Sequence, residues 1–249
     1  MSRAATLAFA IIAYAVFFAT FLYLIIFVGD FDLGAFSPRT VDSPPSDLPL
    51  AAALAIDVAL VALFGIQHSV MARQGFKRAW TKIVPRPAER SMYVLLTSLA
   101  LIVMFRFWQP VDAVVWSTDA PLLHDLLWLL FWIGWVTVLV STFLLNHFEL
   151  FGLQQAYYFA RGSEPPPPAF RTPLFYKWVR HPIYSGFFLA FWATPEMTVG
   201  HLLLAAGMTV YMLIAIPYEE RDLVAFHGRD YEEYRARVGK LFPRFRNRA

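Results

Sequence analysis

Long uncharged runs restrict the possible folds of this chain more than any other feature. The first run, from Ala4 to Gly29, has 26 residues without a charged side chain, and a helix of about 20 apolar residues is enough to cross the hydrocarbon core of a bilayer. The composition agrees, because 58% of the residues are hydrophobic and only 16% are charged. Further apolar segments follow at residues 48–72, 91–108, 122–146, 183–197 and 198–218.

These segments predict an all-α, polytopic membrane helical bundle with five to six transmembrane segments. Residues 183–218 are expected to form a C-terminal helical hairpin, whose first arm is short or re-entrant and meets Pro195. We expect a single integral membrane domain over residues 1–249. The tail after Tyr218 places aromatic residues such as Tyr231 among charges, which predicts a cytoplasmic amphipathic tail helix folded back over the span ends.

The basic residues predict the orientation, because cytoplasmic loops next to span ends retain lysine and arginine. Residues 73–90 hold six basic residues and one acidic residue, whereas residues 30–47 hold one basic and four acidic residues. The first of these connectors is therefore expected inside the cell and the second outside. Both termini are then cytoplasmic, which requires an even number of crossings and supports the hairpin.

Several kinds of site have no signal in this sequence. The chain has no cysteine, so it holds no disulfide, thiolate metal site or cysteine nucleophile. It has no G-x-G-x-x-G or Walker nucleotide loop and no His-Glu-x-x-His zinc motif, so no metal site is signalled. The formal net charge of +3 is explained by the basic residues in the connectors that we expect inside the cell. We therefore expect the lipid bilayer as a partner, and no nucleic acid.

Polar pairs stand at the expected cytoplasmic ends of four different segments. Headgroups and water solvate polar groups at span ends, so each pair alone has an ordinary structural explanation. Four pairs at the same boundary favour a functional site instead. The pairs are Gln67-His68, Asn146-His147, Arg180-His181 and Glu219-Glu220.

The segment around His181 has features of a helix start and of a ligand site. Proline is tolerated in a first helical turn, so Pro182 predicts a helix start with His181 and Tyr184 near one face. The positive helix end could receive a carboxylate or a ribose oxygen of a ligand. Alternatively, the segment only begins a span and Tyr184 is an interfacial anchor.

The glutamate pair also has two interpretations. Glu219 and Glu220 are adjacent, so their side chains point about 100° apart on a helix. One carboxylate could therefore bind a cationic ligand, or both could lie in a solvated helix turn.

Two motifs in the last quarter of the chain are more specific in combination. The first is Arg180-His181-Pro182-x-Tyr184-x-Gly186, and the second is Glu219-Glu220-x-x-Leu223 followed by Phe226-x-Gly228-x-x-Tyr231-x-x-Tyr234. Together they resemble the C-terminal core of the isoprenylcysteine carboxyl methyltransferase superfamily, membrane enzymes that bind S-adenosylmethionine without a Rossmann fold. The resemblance implies a cofactor-binding core at about residues 176–243.

Four further stretches extend the resemblance over nearly the whole chain: 67–73 (QHSVMAR), 87–93 (PAERSMY), 146–153 (NHFELFGL) and 193–198 (ATPEMT). They look like the bacterial branch of that superfamily that methylates methanethiol. This implies methyl transfer from S-adenosyl-L-methionine to methanethiol, giving dimethyl sulfide, in a bacterial inner membrane. The prenylcysteine branch differs by a basic residue four positions before the glutamate pair, where Ala215 and Ile216 stand here.

The resemblance also implies roles for individual residues. A small thiol is mostly protonated at neutral pH, since even free cysteine has a pKa of about 8.5, so the reaction needs a base. Our candidates for the catalytic base are His147 and His68. Asn146 and Arg90 are the candidates for positioning the substrate. The cofactor-binding candidates are His181, Pro182, Tyr184, Glu219 and Glu220.

Two alternatives remain at this point. The acceptor could be another thiol or a lipophilic carboxylate, which the same donor chemistry would serve. The span-end histidines could instead ligate haem in a non-catalytic membrane protein, which requires two histidines that face each other.

Overall fold

The computed structural model describes residues 1–166 and 170–244. These residues are helical apart from one two-stranded sheet and connecting turns. The elements are α1 (Arg3–Val28), α2 (Leu50–Ala72), α3 (Gln74–Trp80), α4 (Arg86–Phe107), β1 (Val114–Ser117), α5 (Pro121–Leu145), α6 (His147–Leu150), α7 (Leu153–Arg161), α8 (Pro182–Trp192), β2 (Glu196–Thr198), α9 (Val199–His227) and α10 (Arg229–Arg237).

Among the described residues, five helices are long and apolar enough to cross a membrane: α1, α2, α4, α5 and α9. They have 22 to 29 residues each. The predicted all-α polytopic membrane bundle is therefore confirmed. α8 is apolar but has only 11 residues, about 16 Å of helix, which is roughly half of the hydrocarbon thickness.

The chain is divided into two compact units by its internal contacts. The first unit comprises Met1–Ser117, His147–Pro166 and Glu196–Met208. The second unit comprises Thr118–Asn146, Pro167–Pro195 and Thr209–Ala249. The predicted single integral domain stays a prediction, and each unit is described below by itself.

The first unit collects three connectors at one end. β1 pairs antiparallel with β2. The Arg39 guanidinium donates to the Trp108 carbonyl oxygen (2.7 Å), the Trp108 indole donates to the Val41 carbonyl oxygen (3.0 Å), and the Gly200 amide donates to the Val111 carbonyl oxygen (2.9 Å). The connector after α1, the connector after α4 and the segment before α9 thus meet. The connector after α1 contains residues 30–47, which the charge pattern predicts to lie outside the cell.

The short helices α6 and α7 return along α1 in the same unit. The ring of Phe151 stacks on Phe17 at 4.0 Å, and Gly162 lies against the guanidinium of Arg3, since a Cβ at Gly162 would be 2.9 Å from it. α7 therefore runs antiparallel to the first half of α1. This course brings residues that follow α5 in sequence to the middle of α1.

The second unit places the α8 segment antiparallel to α5. The Thr118 amide donates to the Pro195 carbonyl oxygen (3.1 Å) at one end, and the Tyr176 hydroxyl lies 3.5 Å from the Ser141 carbonyl oxygen at the other. A Cβ on Gly134 midway would lie only 2.7 Å from backbone atoms of α8. Residues 176–195 therefore run beside α5 over most of its length. The helix α8 covers only part of that length, and non-helical residues at both of its ends cover the rest. With α9, they form the predicted C-terminal hairpin.

The C-terminal tail folds back on the segment that precedes α8. The Tyr234 hydroxyl of α10 donates to the Tyr176 carbonyl oxygen at 2.6 Å. Beyond α10, the Arg180 amide donates to the Gly239 carbonyl oxygen (2.8 Å), and the His181 amide donates to the Lys240 carbonyl oxygen (3.2 Å). The predicted amphipathic tail helix is confirmed, and these bonds hold the tail against the start of α8.

Candidate functional site

The start of α8 has the form that the sequence predicts. Pro182 occupies the first turn of the helix, where its missing N–H removes no helical hydrogen bond. His181 precedes it as the N-cap residue, outside helical geometry, and its side chain is buried. The helix therefore begins with an imidazole at its positive end.

Glu220 in α9 is bonded to two buried groups of the protein through one carboxylate oxygen. Its Oε1 accepts from Arg180 Nε at 2.8 Å and lies 3.1 Å from His181 Nε2. The side chains of Arg180 and Glu220 are only 7% and 10% exposed. Arg180 also donates to the carbonyl oxygens of Arg235 (3.0 Å) and Val238. Glu220 thus anchors a buried ion pair that ties α9, the start of α8 and the tail together.

Glu219 is more accessible. Its side chain is 43% exposed, and its Oε2 accepts a hydrogen bond from the Tyr184 hydroxyl at 2.9 Å. His181 Nδ1 lies 3.9 Å from the same oxygen. Adjacent helical positions therefore separate the two glutamates as predicted: one carboxylate is enclosed and the other is accessible. An accessible carboxylate beside the Tyr184 ring has the character of a cation-binding group.

Tyr231 in α10 is a residue of this region to which the sequence analysis gave no role. It is 2% exposed, and its hydroxyl has no hydrogen-bond partner among the described residues. Burial raises its pKa, and the nearby Glu220 carboxylate raises it further. A buried hydroxyl without a partner is costly, so this group is suited to bonding a ligand. The sequence signal for this residue is its place in the Gly228-x-x-Tyr231 motif.

His68 lies in the first unit and is bonded through both ring nitrogens. Its Nε2 is 2.8 Å from the Tyr93 hydroxyl and its Nδ1 is 3.2 Å from the Thr97 hydroxyl, both on α4. The Phe64 ring stacks on it at 5.4 Å. These contacts fix the ring in place, which suits a positioning residue better than a base that must exchange a proton.

His147, also in the first unit, is the first residue of α6 and is 5% exposed. Its Nε2 lies 2.8 Å from the hydroxyl of Tyr14 on α1. The Phe151 ring packs edge-on against the imidazole at 4.8 Å. Burial lowers the pKa of His147 below its usual value, so the imidazole is neutral near pH 7 and suited to accept a proton.

Arg90 contacts the helix that begins at His147 and a hydrogen-bond partner of His68. Its Nε donates to the Leu150 carbonyl oxygen in α6 at 2.7 Å, and its guanidinium lies 5.1 Å from the centre of the Tyr93 ring. Arg90 therefore joins α6, the helix of His147, to Tyr93, the hydrogen-bond partner of His68. Asn146 caps α5 in the second unit, where its backbone N–H donates to the Thr142 carbonyl oxygen at 3.2 Å.

Of the predicted site residues, Asn146 and the α8 and α9 residues belong to the second unit. Tyr14 and Thr97 were missed, because a tyrosine or threonine within an apolar run carries no sequence signal. Within residues 1–166 and 170–244, no group of three or more His, Cys, Asp or Glu side chains could hold a metal ion.

Comparisons with known proteins find one matching family model and several similar chains. The model of the family described as NnrU protein matches residues 57–242. The methanethiol S-methyltransferase of Mycobacterium tuberculosis is 49% identical over 98% of this chain and 98% of its own. That of Pseudomonas deceptionensis is 52% identical over 84% of this chain and 79% of its own.

A more distant relative is human nurim, which is 33% identical over 71% of this chain and 70% of its own. No solved structure matches the chain. Because one family model covers residues 57–242 and relatives named methanethiol S-methyltransferase match along nearly the full length, this chain belongs to the NnrU protein family.

Proposed function

We propose that this chain is a multi-pass enzyme of the bacterial inner membrane that methylates methanethiol. The methyl donor is S-adenosyl-L-methionine, the products are dimethyl sulfide and S-adenosylhomocysteine, and both termini are cytoplasmic. Relatives named methanethiol S-methyltransferase, 45% to 52% identical to this chain, support the acceptor. The accessible Glu219 carboxylate beside Tyr184, next to the enclosed Arg180–Glu220 pair, is the observation that carries the donor site.

The second unit fits a sulfonium donor that carries an amino acid group. Glu219 offers negative charge for a cation, and Tyr184 lies next to it. Tyr231 contributes a buried hydroxyl that has no hydrogen-bond partner in the described part of the chain. His181 and Pro182 form the helix start that lies beside these groups. Bound there, S-adenosylmethionine would supply an electrophilic methyl group. Glu220 acts indirectly, because it holds Arg180 and His181 in place.

The first unit supplies the candidates that activate the thiol. His147 is neutral near pH 7 and takes the proton as the S–H bond of methanethiol breaks. The sulfur lone pair then forms the new S–C bond while the donor's bond to that methyl group breaks. His68 holds the Tyr93 hydroxyl in place, and Arg90 positions the acceptor. Asn146, which belongs to the second unit, is the other candidate for that role. A dry, ordered site favours this charge-neutralising displacement.

A headspace assay tests the reaction directly. Detergent-solubilised protein is supplied with S-adenosylmethionine and methanethiol at pH 7, and dimethyl sulfide is measured by gas chromatography. We expect His147→Gln to lower turnover by about 100-fold, the usual share of a general base, while calorimetry shows unchanged donor binding. His124→Gln is the matched control, because His124 is exposed near the start of α5.

Other outcomes would replace this proposal. If His147→Ala and His68→Ala both keep wild-type turnover while they bind the donor, neither histidine is the base. If the donor binds but only a larger thiol or a lipophilic carboxylate is methylated, methanethiol is not the acceptor. If calorimetry detects no donor binding and the purified protein shows a Soret band, the chain is a haem protein.

A further inference from the structure

The connector between α2 and α4, residues 73–85, lies next to the bilayer surface. α2 ends at Ala72 and α4 begins at Arg86, and both helices are long and apolar enough to cross a membrane. The connector therefore begins and ends on the same side of the bilayer. It is compact, because α3 occupies its first half. A compact segment held between two spans lies at the level of the lipid headgroups, which border the hydrocarbon core.

One side of this segment is fixed against the protein. The rings of Phe76 and Trp80 stack on each other at 5.6 Å. Both rings pack against the buried cluster of Met71, Tyr93 and Val94. This packing sets the rotation of α3 about its axis, so it also decides which residues face away from the protein.

The opposite side is exposed and carries only positive charge. The backbone N–H groups of Lys82 and Ile83 donate to the carbonyl oxygens of Ala79 and Trp80 (3.2 and 3.0 Å), so the helical course continues beyond the end of α3. The exposed positions recur at helical spacing, which places them on one face. They are Gln74, Gly75, Arg78, Ala79, Lys82 and Ile83.

Arg86 extends this exposed face to the start of α4. It is exposed as well, and it follows Ile83 by three positions, which span at most about 11 Å of chain. Within residues 1–166 and 170–244, no carboxylate lies within ion-pair distance of Arg78, Lys82 or Arg86. Three cations without a counter-charge thus lie close together at the bilayer surface.

Other basic residues of the same region are bonded within the protein. Arg73 Nε donates to the Ser69 carbonyl oxygen at 3.0 Å, and Arg90 Nε donates to the Leu150 carbonyl oxygen at 2.7 Å. The orientation of a membrane protein depends only on how many basic residues a connector contains. The fold adds a separation that this count does not require, because it turns two arginines toward the protein and gathers three cations on the exposed face.

Ile83 favours a lipid surface over a polyanion dissolved in water. Its side chain is 80% exposed, next to Lys82 in the chain. An anionic lipid surface offers phosphate groups to cations and the first acyl methylene groups to an apolar side chain, and water still reaches this layer. A nucleic acid or an acidic peptide would bind the cations and leave the isoleucine in water. Charge and apolar character together therefore match the lipid interface.

We propose that Arg78, Lys82, Ile83 and Arg86 form a lipid-binding surface that takes the headgroup of an anionic phospholipid. The cations bind the phosphate group, and Ile83 contacts the start of the acyl chains. Attraction to an anionic membrane is worth about fivefold in affinity for each Lys or Arg near the surface. The surface includes neither the donor site nor the residues that activate the thiol, so a lipid titration tests it whether or not the chain methylates methanethiol.

The titration uses the full-length protein in a neutral detergent. Native mass spectrometry counts the bound molecules of phosphatidylglycerol and of phosphatidylcholine with the same acyl chains. We expect the wild type to bind phosphatidylglycerol at least about tenfold more tightly, because the contributions of several basic residues add. In the triple variant Arg78→Gln/Lys82→Gln/Arg86→Gln that preference should disappear. A wild type without the preference, or a triple variant that keeps it, would overturn the proposal.

The matched control removes the same number of charges from α10, in Arg229→Gln/Arg235→Gln/Arg237→Gln. These arginines are exposed, and acidic residues lie between them in the sequence. The preference for phosphatidylglycerol should remain. If it disappears here too, lipid binding follows only the net charge of the protein and the assigned surface is wrong. Ile83→Ser should weaken the binding of both lipids equally, and unchanged affinities would exclude the apolar contact.

Thermal unfolding checks the fold of the variants and distinguishes lipid from other anions. Without added lipid, the triple variant should unfold at the wild-type temperature, because the three replaced side chains make no ion pair in the described part of the chain. Phosphatidylglycerol should raise the unfolding temperature of the wild type, since a ligand that binds the native state stabilises it. Salt at about 1 M should abolish this rise.

Inorganic phosphate and a single-stranded RNA are the competing anions in the same measurement. Neither should raise the unfolding temperature of the wild type, because neither offers an apolar contact to Ile83. A rise with either anion as large as the rise with phosphatidylglycerol would refute the lipid assignment. This comparison uses the wild type alone, so it decides the question even if the triple variant does not fold.

Discussion

Two neighbouring glutamates of α9 have different surroundings, because one helical step of about 100° turns one side chain inward and the other outward. Glu220 neutralises the buried Arg180 guanidinium, whereas Glu219 remains accessible. Composition alone could not distinguish the two residues.

We predict opposite results for Glu219→Gln and Glu220→Gln. The Glu219 variant should bind S-adenosylmethionine about tenfold more weakly, the loss of one charged interaction, with an unchanged unfolding temperature. The Glu220 variant should lose about 3 kcal/mol of stability, because Arg180 then stays buried without a counter-charge. Calorimetry and thermal unfolding in detergent measure the two effects, and each variant serves as the control for the other. Equal donor affinity in Glu219→Gln and wild type would contradict the assignment.

At the scale of elements, the contact between α5 and α8 depends on two glycines. A Cβ on Gly186 would lie 2.7 Å from the Gly134 carbonyl oxygen, and a Cβ on Gly134 would meet the α8 backbone at the same distance. Small residues at such contacts let two helix backbones approach closely. The close approach keeps the start of α8 in place.

Gly186→Ala should therefore push α8 away from α5. We expect a loss of about 1–3 kcal/mol of stability, as for other overpacked sites, together with weaker donor binding. Gly75→Ala is the matched control on α3, where the nearest atom to a new Cβ is Arg78 Nη2 at 4.0 Å. That change should leave stability equal or slightly higher, because alanine favours helix. Thermal unfolding and calorimetry check both variants, and a wild-type melting point for Gly186→Ala would refute the packing argument.

The connector between α1 and α2 carries a pH-dependent contact with β2. Asp42 accepts a hydrogen bond from the Thr198 hydroxyl. Burial, together with the nearby charges of Asp30, Glu196 and Asp112, raises the pKa of Asp42 to about 7, although the Thr198 bond opposes the shift. The folded state therefore favours the protonated carboxyl. Its contribution to stability is complete below about pH 4, the usual value of an unfolded aspartate, and is lost as the pH rises through 7.

Asp42→Asn should flatten this dependence. Between pH 5 and 8 the unfolding temperature of the wild type should fall as the pH rises, and that fall should be smaller in the variant. Asp47→Asn removes the same formal charge from an exposed position of the same connector and is the control. If Asp42→Asn and the wild type show the same slope, Asp42 does not titrate in this range.

At the scale of the whole molecule, both termini are expected in the cytoplasm, which requires an even number of passes. Five helices are long enough to cross a membrane, and the segment 176–195 runs beside α5 over most of its length. That segment would provide the sixth pass although α8 itself is short.

The absence of cysteine allows a clean test of this orientation. Phe36 is 82% exposed in the connector expected outside the cell, and Ile83 is 80% exposed in the basic connector expected inside. A membrane-impermeant maleimide applied to intact cells should label Phe36→Cys, and it should label Ile83→Cys only after permeabilisation. Labelling of Ile83→Cys in intact cells, with Phe36→Cys protected, would invert the proposed topology.

Much of the fold was predictable because it depends on local properties. The helix starting at Pro182, the hairpin and the folded-back tail all follow from proline chemistry, hydropathy and aromatic spacing. The antiparallel course of α7 along α1 was not predictable, since nothing local in either segment specifies its partner. For the same reason the contact of Tyr14 with His147 was not predictable, because a tyrosine within an apolar span carries no sequence signal for its partner.

The sequence by itself determined that this is a helical membrane protein and where its long spans lie, because hydropathy is a property of the linear sequence. Its motifs supplied the candidate site residues. Only the tertiary structure decided how those residues are used. It enclosed Glu220 while it left Glu219 accessible, and it joined His147 to Tyr14 across 133 positions of the chain. Such pairings depend on contacts between distant segments, whose packing no local pattern encodes.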